Sequence, residues 1–360
     1  MISRNRLRPF SARAVVAILL SGLAVAFAVV VSSCDRVKPT SPTPVDVLDP
    51  AFAQARLEPN LRSLLVARGG TVLRAEYFNG GGPDSQEYVW SVTKSVLALT
   101  VGAALDMGCL RSLDQTLGEL LGPTMVTDPA KAGVTLRHLL TMSSGIDFPE
   151  ASFYASGPSL YSAWIQAPDQ VAFVMARPMT ASPGARFEYG SGTIHLASVA
   201  LTRSCGISTS TFAETRLFVP LGIPSRPWET DRQGFHNGGA GLSLTAADMQ
   251  AIGTMVLDSG RFRGGQVLPS AWIHAMTSQQ ITTGGGATSG YGYAWWVGRT
   301  LAGDAFALAN GWGGQFIAVV PTKGLVVTTA SRTAGLSGAA AMAQWERIFE
   351  IVYARIIPAF

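Results

Sequence analysis

Hydrophobic and polar positions along the chain predict strands at both ends of its globular part and helices between them. Residues 61–67 and 71–78 are two short β-like runs separated by Arg-Gly-Gly, as in a hairpin. Residues 91–107 are apolar on nearly every side, a pattern that predicts a helix buried in the interior. The C-terminal part adds a helix over roughly residues 339–356 and three strand-like runs, residues 306–308, 315–320 and 325–329.

The order of these elements predicts an α/β (α+β) fold. If the terminal strands pair in one antiparallel sheet flanked by helices, the middle of the chain becomes an inserted, mainly helical lobe. We therefore expect one domain over residues 51–360, with a sheet lobe at about 51–90 and 235–360 and a helical lobe at about 91–234. The cleft between two such lobes is the expected place for a binding site.

The first 33 residues have the pattern of an export signal rather than of a folded domain. Four arginines precede residues 14–31, an apolar run of 18 residues that leads into Ser-Ser-Cys. This arrangement resembles a bacterial lipoprotein signal, in which Cys34 becomes the lipidated N-terminus of the mature protein. Residues 34–50 then predict a solvated tether. An uncleaved anchor helix is the alternative, because 18 apolar residues are just long enough to span a bilayer.

Either interpretation places the globular part outside the cytoplasm, and lipidation would anchor it to the periplasmic face of the bacterial cell envelope.

The formal charge of +4 comes from 27 basic and 23 acidic side chains. Four of the basic residues lie in the signal, which holds no acid, so the rest of the chain is neutral. A basic footprint for nucleic acid is therefore excluded. The sequence says nothing about oligomeric state.

Two cysteines remain in the globular part. Cys109 and Cys205 each adjoin a glycine at the expected end of an apolar helix. In an exported protein they can form a disulfide, and two buried thiols are the alternative that the sequence leaves open. Neither interpretation makes them catalytic.

The sequence contains none of the metal-binding or cofactor-binding motifs that we considered. The four histidines are far apart, and H-E-x-x-H, C-x-x-C and a G-K-[ST] phosphate loop are all missing from the sequence. A G-x-S-x-G nucleophile elbow is missing as well. We therefore predict no metal and no cofactor, and expect serine chemistry that does not depend on histidine.

Ser91 and Lys94 are the candidates for that chemistry. The chain has only four lysines against 23 arginines, and one of the four lies inside the apolar helix predicted over residues 91–107. Three residues apart on a helix, the two side chains share a face. Burial at a helix N-terminus favours the neutral amine, which can act as a base, whereas arginine cannot. A capping serine beside a snorkelling lysine is the structural alternative.

Six blocks of sequence support the catalytic interpretation. In order and spacing they resemble the penicillin-recognising serine hydrolases, in the branch around class C β-lactamases, 6-aminohexanoate-dimer hydrolases and related esterases. The blocks are WSVTKS at 90–95, TLRHLLTMSSG at 135–145, PGARFEYGS at 183–191, GAGLS at 239–243, YGYAWW at 291–296 and GWGGQF at 311–316.

The resemblance implies a β-lactamase/transpeptidase-like fold and a role for each matching position. Ser91 would be the acylated nucleophile and Lys94 its proton acceptor. Tyr189 would pass the proton to the leaving group, and Ser191 stands where class C enzymes carry asparagine. The backbone N–H of Gln315 would be the second donor to the oxyanion, beside that of Ser91.

The third motif departs from the class C pattern. Trp312, Gly313 and Gly314 occupy the place of Lys-Thr-Gly, so the lysine that helps to hold a substrate carboxylate is missing from this position. An aromatic wall at Trp312 would favour neutral, apolar substrates. His236 is a further candidate to line the pocket, as is the aromatic group formed by Tyr291, Tyr293 and Trp295, with packing as the equal alternative for each.

The sequence thus predicts an exported serine hydrolase, of the carboxylesterase or amidase type, that forms an acyl-enzyme with a small ester or amide. A β-lactamase or D-alanyl-D-alanine carboxypeptidase is the rival within enzymes. A non-catalytic envelope protein that keeps the fold to bind a partner is the rival from another class.

Overall fold

The computed structural model describes residues 46–150 and 159–360. The strands found there are β1 (Leu61–Arg68), β2 (Thr71–Tyr77), β3 (Glu87–Tyr88), β4 (Ser243–Leu244), β5 (Arg261–Phe262), β6 (Gly265–Gln266), β7 (Ile281–Thr282), β8 (Gly290–Tyr291), β9 (Trp296–Arg299), β10 (Ala305–Gly311), β11 (Gln315–Val320) and β12 (Leu325–Ser331). The helices are α1 (Asp49–Ala55), α2 (Val92–Asp106), α3 (Leu117–Leu121), α4 (Pro129–Ala132), α5 (Leu136–Leu140), α6 (Leu160–Gln166), α7 (Gln170–Met175), α8 (Ser191–Cys205), α9 (Thr209–Ala213), α10 (Val219–Leu221), α11 (Ala246–Leu257), α12 (Ser270–Met276) and α13 (Gly338–Glu350).

Eight strands form one antiparallel sheet in the order β2-β1-β12-β11-β10-β9-β8-β7. The N-terminal hairpin joins the C-terminal strands through β1 and β12, where Val66 lies opposite Val327. The predicted pairing of the two chain ends and the predicted fold class are therefore confirmed. The sequence did not predict β7, β8 and β9, because strands of two to four residues carry too few positions for a pattern.

Both faces of the sheet are covered. One face packs against α1 and α13 through a core that includes Phe52, Phe316 and Ile348. Helix α11 covers the other face along β11 and β12, and Gly253 permits a close approach there, since a Cβ at this position would lie 2.5 Å from Val326. The core between the sheet and α11 is the larger of the two, and it continues beyond α11 into the helical part of the chain.

Helix α2 is the centre of that larger core. All of its residues from Val92 to Ala104 are buried, as the apolar pattern predicts. It contacts β10 and β11 on one side and α8 and α9 on the other, so its N-terminus lies where the sheet meets the helices. This position presents Ser91 and Lys94 at the boundary between the two parts of the fold.

The predicted export signal, the tether up to residue 45 and Cys34 lie outside the described residues. Among the helices that are described, none combines the length and apolar character that a membrane span requires. The predicted C-terminal helix is present, but its α-helical part ends at Glu350 and a wider turn continues over Ile351–Ile356.

Candidate active site

Ser91 is the residue immediately before α2, and its hydroxyl group makes no capping hydrogen bond to the helix. The preceding residue, Trp90, has a φ of 48°, a conformation that costs energy for a large side chain. Its indole N–H donates to Thr333 at 2.9 Å, which helps to hold this backbone in place. The chain therefore turns sharply at the point where the Ser91 hydroxyl group is presented.

Lys94 is almost completely buried, with 1% of its surface exposed. Its Nζ atom lies 2.7 Å from Ser91 Oγ, 2.8 Å from Ser191 Oγ and 2.6 Å from the carbonyl oxygen of Gly239. These three acceptors satisfy the three hydrogens of an ammonium group. The structure thus brings Ser91, Lys94 and Ser191 together, from the N-termini of α2 and α8.

Glu150 is a second buried ionisable group at this site, and the sequence analysis missed it. It is 6% exposed, and its carboxylate accepts hydrogen bonds from the backbone N–H of Ser191 and, at 3.1 Å, from the Ser191 hydroxyl group. A buried lysine implies a compensating acid nearby, so the sequence did indicate that such a residue exists. Nothing in the local pattern around residue 150 singles it out among 23 acidic residues.

These contacts determine which proton a neutral Lys94 can accept. The carbonyl group of Gly239 has no proton to give, and the hydroxyl proton of Ser191 is directed to Glu150. When Lys94 loses a proton, it keeps two donors for those two oxygens, and its lone pair faces the remaining partner. That partner is Ser91 Oγ, so the lone pair of a neutral Lys94 would face the Ser91 hydroxyl group.

Burial and charge act on Lys94 in opposite directions. Removal from water lowers the pKa of Lys94 to about 8, while the negative charge of Glu150 works against this decrease. Burial likewise raises the pKa of Glu150, and Lys94 and the hydrogen bonds from Ser191 oppose that increase. A lysine pKa near 8 lies close to neutral pH, where a general base is most effective.

A buried pair of side chains, His195 and Asp231, lies beside the loop that carries Gly239 and helps to hold it in place. His195 Nδ1 accepts a hydrogen bond from the backbone N–H of Gly238 at 3.3 Å. Its Nε2 therefore carries the proton, 3.2 Å from a carboxylate oxygen of Asp231. The Asn237 side-chain oxygen Oδ1 accepts a further hydrogen bond from the backbone N–H of Gly239 at 2.9 Å. These contacts fix the carbonyl group that receives Lys94.

Tyr189 lies above this cluster. Its ring is 4.8 Å from Lys94 Nζ, in the range of a cation–π contact, and it stacks on Trp296 with the ring centroids 5.7 Å apart. Tyr291 packs edge-on against both rings. The aromatic neighbours therefore fix the plane of Tyr189 beside the lysine.

Ser91 and Tyr189 line a pocket of about 230 Å³. Its other lining residues are Trp296, Asn310, Trp312, Met342 and Trp345. Trp312 lies in the turn between β10 and β11 and packs edge-on against Trp90 at 4.7 Å. Trp312, Trp296 and Trp345 thus give the pocket an aromatic lining, while the predicted position of Trp312 beside the acyl group of a substrate stays a prediction.

Not every residue predicted to bind substrate lies in this pocket. His236 is half-buried against Trp228 and is not among the lining residues, and burial lowers its pKa. Gly313 and Gly314 lie behind the wall, where an added Cβ would come within 2.2 Å of Thr333 and 2.7 Å of Ile348, respectively. The roles of these three residues in binding substrate stay predictions, because motif position alone does not show which side of a turn faces the substrate.

Tyr291, Tyr293 and Trp295 are all buried, at 3% exposure or less, so the packing alternative applies to this aromatic group. The next residue, Trp296, is the one that reaches the pocket. In a strand, neighbouring residues face opposite sides, and the sequence could not show which one faces the site.

Gln315 begins β11 opposite Gly311, close in sequence to Trp312. Its side chain is buried and fully engaged with β12: Nε2 donates to the carbonyl oxygen of Ser331 at 2.7 Å, and Oε1 accepts from its backbone N–H at 2.9 Å. This leaves only the backbone of Gln315 for a contact with substrate. Its role as a donor to the oxyanion stays a prediction.

Two further expectations concern the cysteines and metals. Cys109, just beyond α2, and Cys205, at the end of α8, form a disulfide that links residues 96 positions apart. In the described part of the chain, no group of three or more acidic, histidine and cysteine side chains is arranged to hold a metal ion.

Comparisons with known proteins show the family to which the chain belongs. A family model described as Beta-lactamase matches residues 59–349. The chain is 28% identical over 261 residues to the 6-aminohexanoate-dimer hydrolase of Paenarthrobacter ureafaciens, and the match covers 65% of this chain and 63% of that relative's length.

Solved structures share the fold. A D-stereospecific amidohydrolase from a Streptomyces species has a TM-score of 0.63 at 20% identity, over 86% of this chain and 98% of its own. A penicillin-binding protein homologue from Caulobacter crescentus has a TM-score of 0.65 at 18% identity, over 88% and 99%. Since the family model covers most of the sequence and the fold agrees, the chain belongs to the Beta-lactamase family.

Proposed function

We propose that this protein is a serine hydrolase that forms an acyl-enzyme with small, neutral esters or amides. The observation that carries the proposal is the position of Lys94 Nζ, 2.7 Å from Ser91 Oγ, with its other two partners unable to give it a proton. A lysine whose pKa is about 8 can accept the proton of a serine during attack.

The proposed reaction has two halves. Ser91 Oγ attacks the carbonyl carbon of the substrate while its proton moves to Lys94, and Tyr189 passes a proton to the departing alcohol or amine. The bond to the leaving group then breaks, which leaves an ester on Ser91. Water attacks that ester, gives a proton back through the same groups, and releases the carboxylic acid with Ser91 restored. We propose the backbone N–H groups of Ser91 and Gln315 as donors to the oxyanion in both halves.

The pocket supports neutral substrates. None of its described lining residues is charged, and three of the seven are tryptophans. A carboxylate would lose its hydration here and find no cation where Trp312 stands, which counts against a β-lactamase or D-alanyl-D-alanine carboxypeptidase. The curated relative is named for hydrolysis of 6-aminohexanoate dimer, so amides belong in the panel of substrates.

A non-catalytic binding protein is the remaining alternative. Burial of Lys94 and Glu150 costs free energy, and a protein that only binds a partner gains nothing from their arrangement around Ser91. The intact arrangement therefore favours an enzyme.

The test compares kcat/KM for a short p-nitrophenyl ester, the corresponding anilide and a chromogenic cephalosporin, each with wild-type protein and Ser91→Ala. We expect the ester or anilide to exceed the cephalosporin by at least about tenfold, and Ser91→Ala to abolish both turnover and labelling by a fluorophosphonate. A cephalosporin that is the better substrate would overturn the substrate assignment. Turnover that persists in Ser91→Ala would overturn the nucleophile, and turnover of no substrate would favour the binding protein.

A further inference from the structure

Asn310 also lines the pocket, and its side chain is the one amide among the described lining residues. In β10, Asn310 and Leu308 are two residues apart and share a face of the sheet. Trp296 in β9 lies opposite Leu308 and faces the same way. This face is the one that packs against α13, so Asn310 and Trp296 both lie on the side of the sheet that the helix covers.

Trp345 of α13 determines the orientation of the Asn310 amide. The indole N–H donates to Asn310 Oδ1 at 2.7 Å. An indole nitrogen can only donate, so the oxygen of the amide must face it and the NH₂ group must point away. The indole itself is held by Phe349, stacked at 5.0 Å, and by Phe316, edge-on at 5.8 Å. The orientation of the amide is therefore fixed before any substrate arrives.

The NH₂ group of Asn310 donates no hydrogen bond to any described residue, and Asn310 lines the pocket while being only half-buried. In the free protein, water can serve these two donors. A substrate that fills the pocket with hydrocarbon would displace that water and leave the donors without a partner, which costs binding energy. A substrate with an acceptor at this point would replace the water.

We propose that Asn310 is a specificity-determining residue that selects substrates carrying a second, neutral carbonyl group, as in an amide or a ketone. The inference rests on the proposed function and names its substrate class more narrowly. A neutral carbonyl fits better than a carboxylate because no described lining residue supplies a positive charge. The rest of the substrate lies along Trp296 and Trp312.

The test uses pairs of substrates of equal length. In one series, p-nitrophenyl esters of unbranched acyl chains are each paired with an ester that carries a ketone at the last carbon but one. In a second series, the ketone is placed in the alcohol part of an acetate ester, and hydrolysis is followed by titration of the released acid. The first series reports an acceptor in the acyl part, and the second reports one in the leaving group.

In one of the two series we expect the ketone ester to exceed its hydrocarbon partner in kcat/KM by about three- to tenfold at one chain length. Asn310→Leu, which has a similar shape, should bring this ratio to about one. Asn310→Asp should invert it, because a carboxylate repels the carbonyl oxygen. Trp345→Phe should reduce the ratio, since the amide is then free to turn. Met342→Leu alters the same wall without a hydrogen-bonding group and should keep the ratio.

The ratio is measured within each variant, so a loss of folded protein cancels. If neither series shows a preference in the wild type, or if the preference survives both Asn310 variants, the inference is wrong. Turnover of the hydrocarbon esters that depends on Ser91 would still support the proposed function in that case.

Discussion

Glu150 is joined to Lys94 through the hydroxyl group of Ser191 and makes no direct ion pair with it. The carboxylate therefore acts on the lysine in two ways, by charge and by holding the proton of Ser191 away from the amine. Both effects concern a residue that is distant in sequence from Ser91 and Lys94. They make Glu150 a positioning residue for the proposed general base.

The first prediction concerns the pH profile of Glu150→Gln. Lys94 must be neutral to accept a proton, so kcat/KM of the wild type should rise with pH and level off above about 8. Without the negative charge the pKa of Lys94 falls further, and the rise should move to lower pH. The plateau should also fall, by about tenfold or more, because an amide can leave the Ser191 proton free to occupy the lysine lone pair.

The matched control is Glu346→Gln, which removes an exposed carboxylate from α13. Its pH profile should match that of the wild type. A purely structural role for Glu150 would lower the plateau without moving the profile, and that outcome would contradict the charge effect.

The second prediction separates charge from basicity at Lys94. Lys94→Arg keeps a cation but cannot give up its proton, so kcat/KM should fall at least about 10³-fold, nearly as far as in Ser91→Ala. The measurement is steady-state hydrolysis of the short p-nitrophenyl ester, with circular dichroism to confirm the fold. Activity close to that of the wild type would exclude Lys94 as the base.

A third prediction addresses the disulfide. Replacing both Cys109 and Cys205 by serine removes the cross-link between the ends of α2 and α8 and should lower the free energy of unfolding by about 2–5 kcal/mol. Urea titration followed by tryptophan fluorescence gives the difference. Adding reductant should shift the wild type by a similar amount and leave the double variant unchanged; a reductant effect on both would point to another cause.

The fourth prediction concerns Cys34, and we propose that a lipid on this residue anchors the protein to a membrane. Cys34→Ser should prevent lipidation, so the protein should move from the detergent phase to the aqueous phase in a cloud-point partition experiment. Mass spectrometry of the mature N-terminus provides a second readout. Unchanged partition into detergent would instead favour an uncleaved anchor helix.

Much of the fold could be predicted because its signals are local. Residues 61–67 and 71–78 became the hairpin, and the apolar run from residue 91 became the buried helix α2, since burial on all sides leaves a continuous apolar pattern. Short strands such as β7 and β8 were missed. Their two residues each are paired by neighbours rather than by their own sequence.

The sequence by itself determined the helix that carries Ser91 and Lys94, the family and the absence of a lysine at position 312, because each can be read from short blocks of consecutive residues and their order. The tertiary structure decided which groups surround Lys94 and which side chains line the pocket. Glu150, Gly239 and Asn310 come from separate loops and strands, and their roles depend on distances of a few ångströms between segments far apart in the chain. Such distances follow from the packing of the whole domain, so no local pattern of residues could specify them.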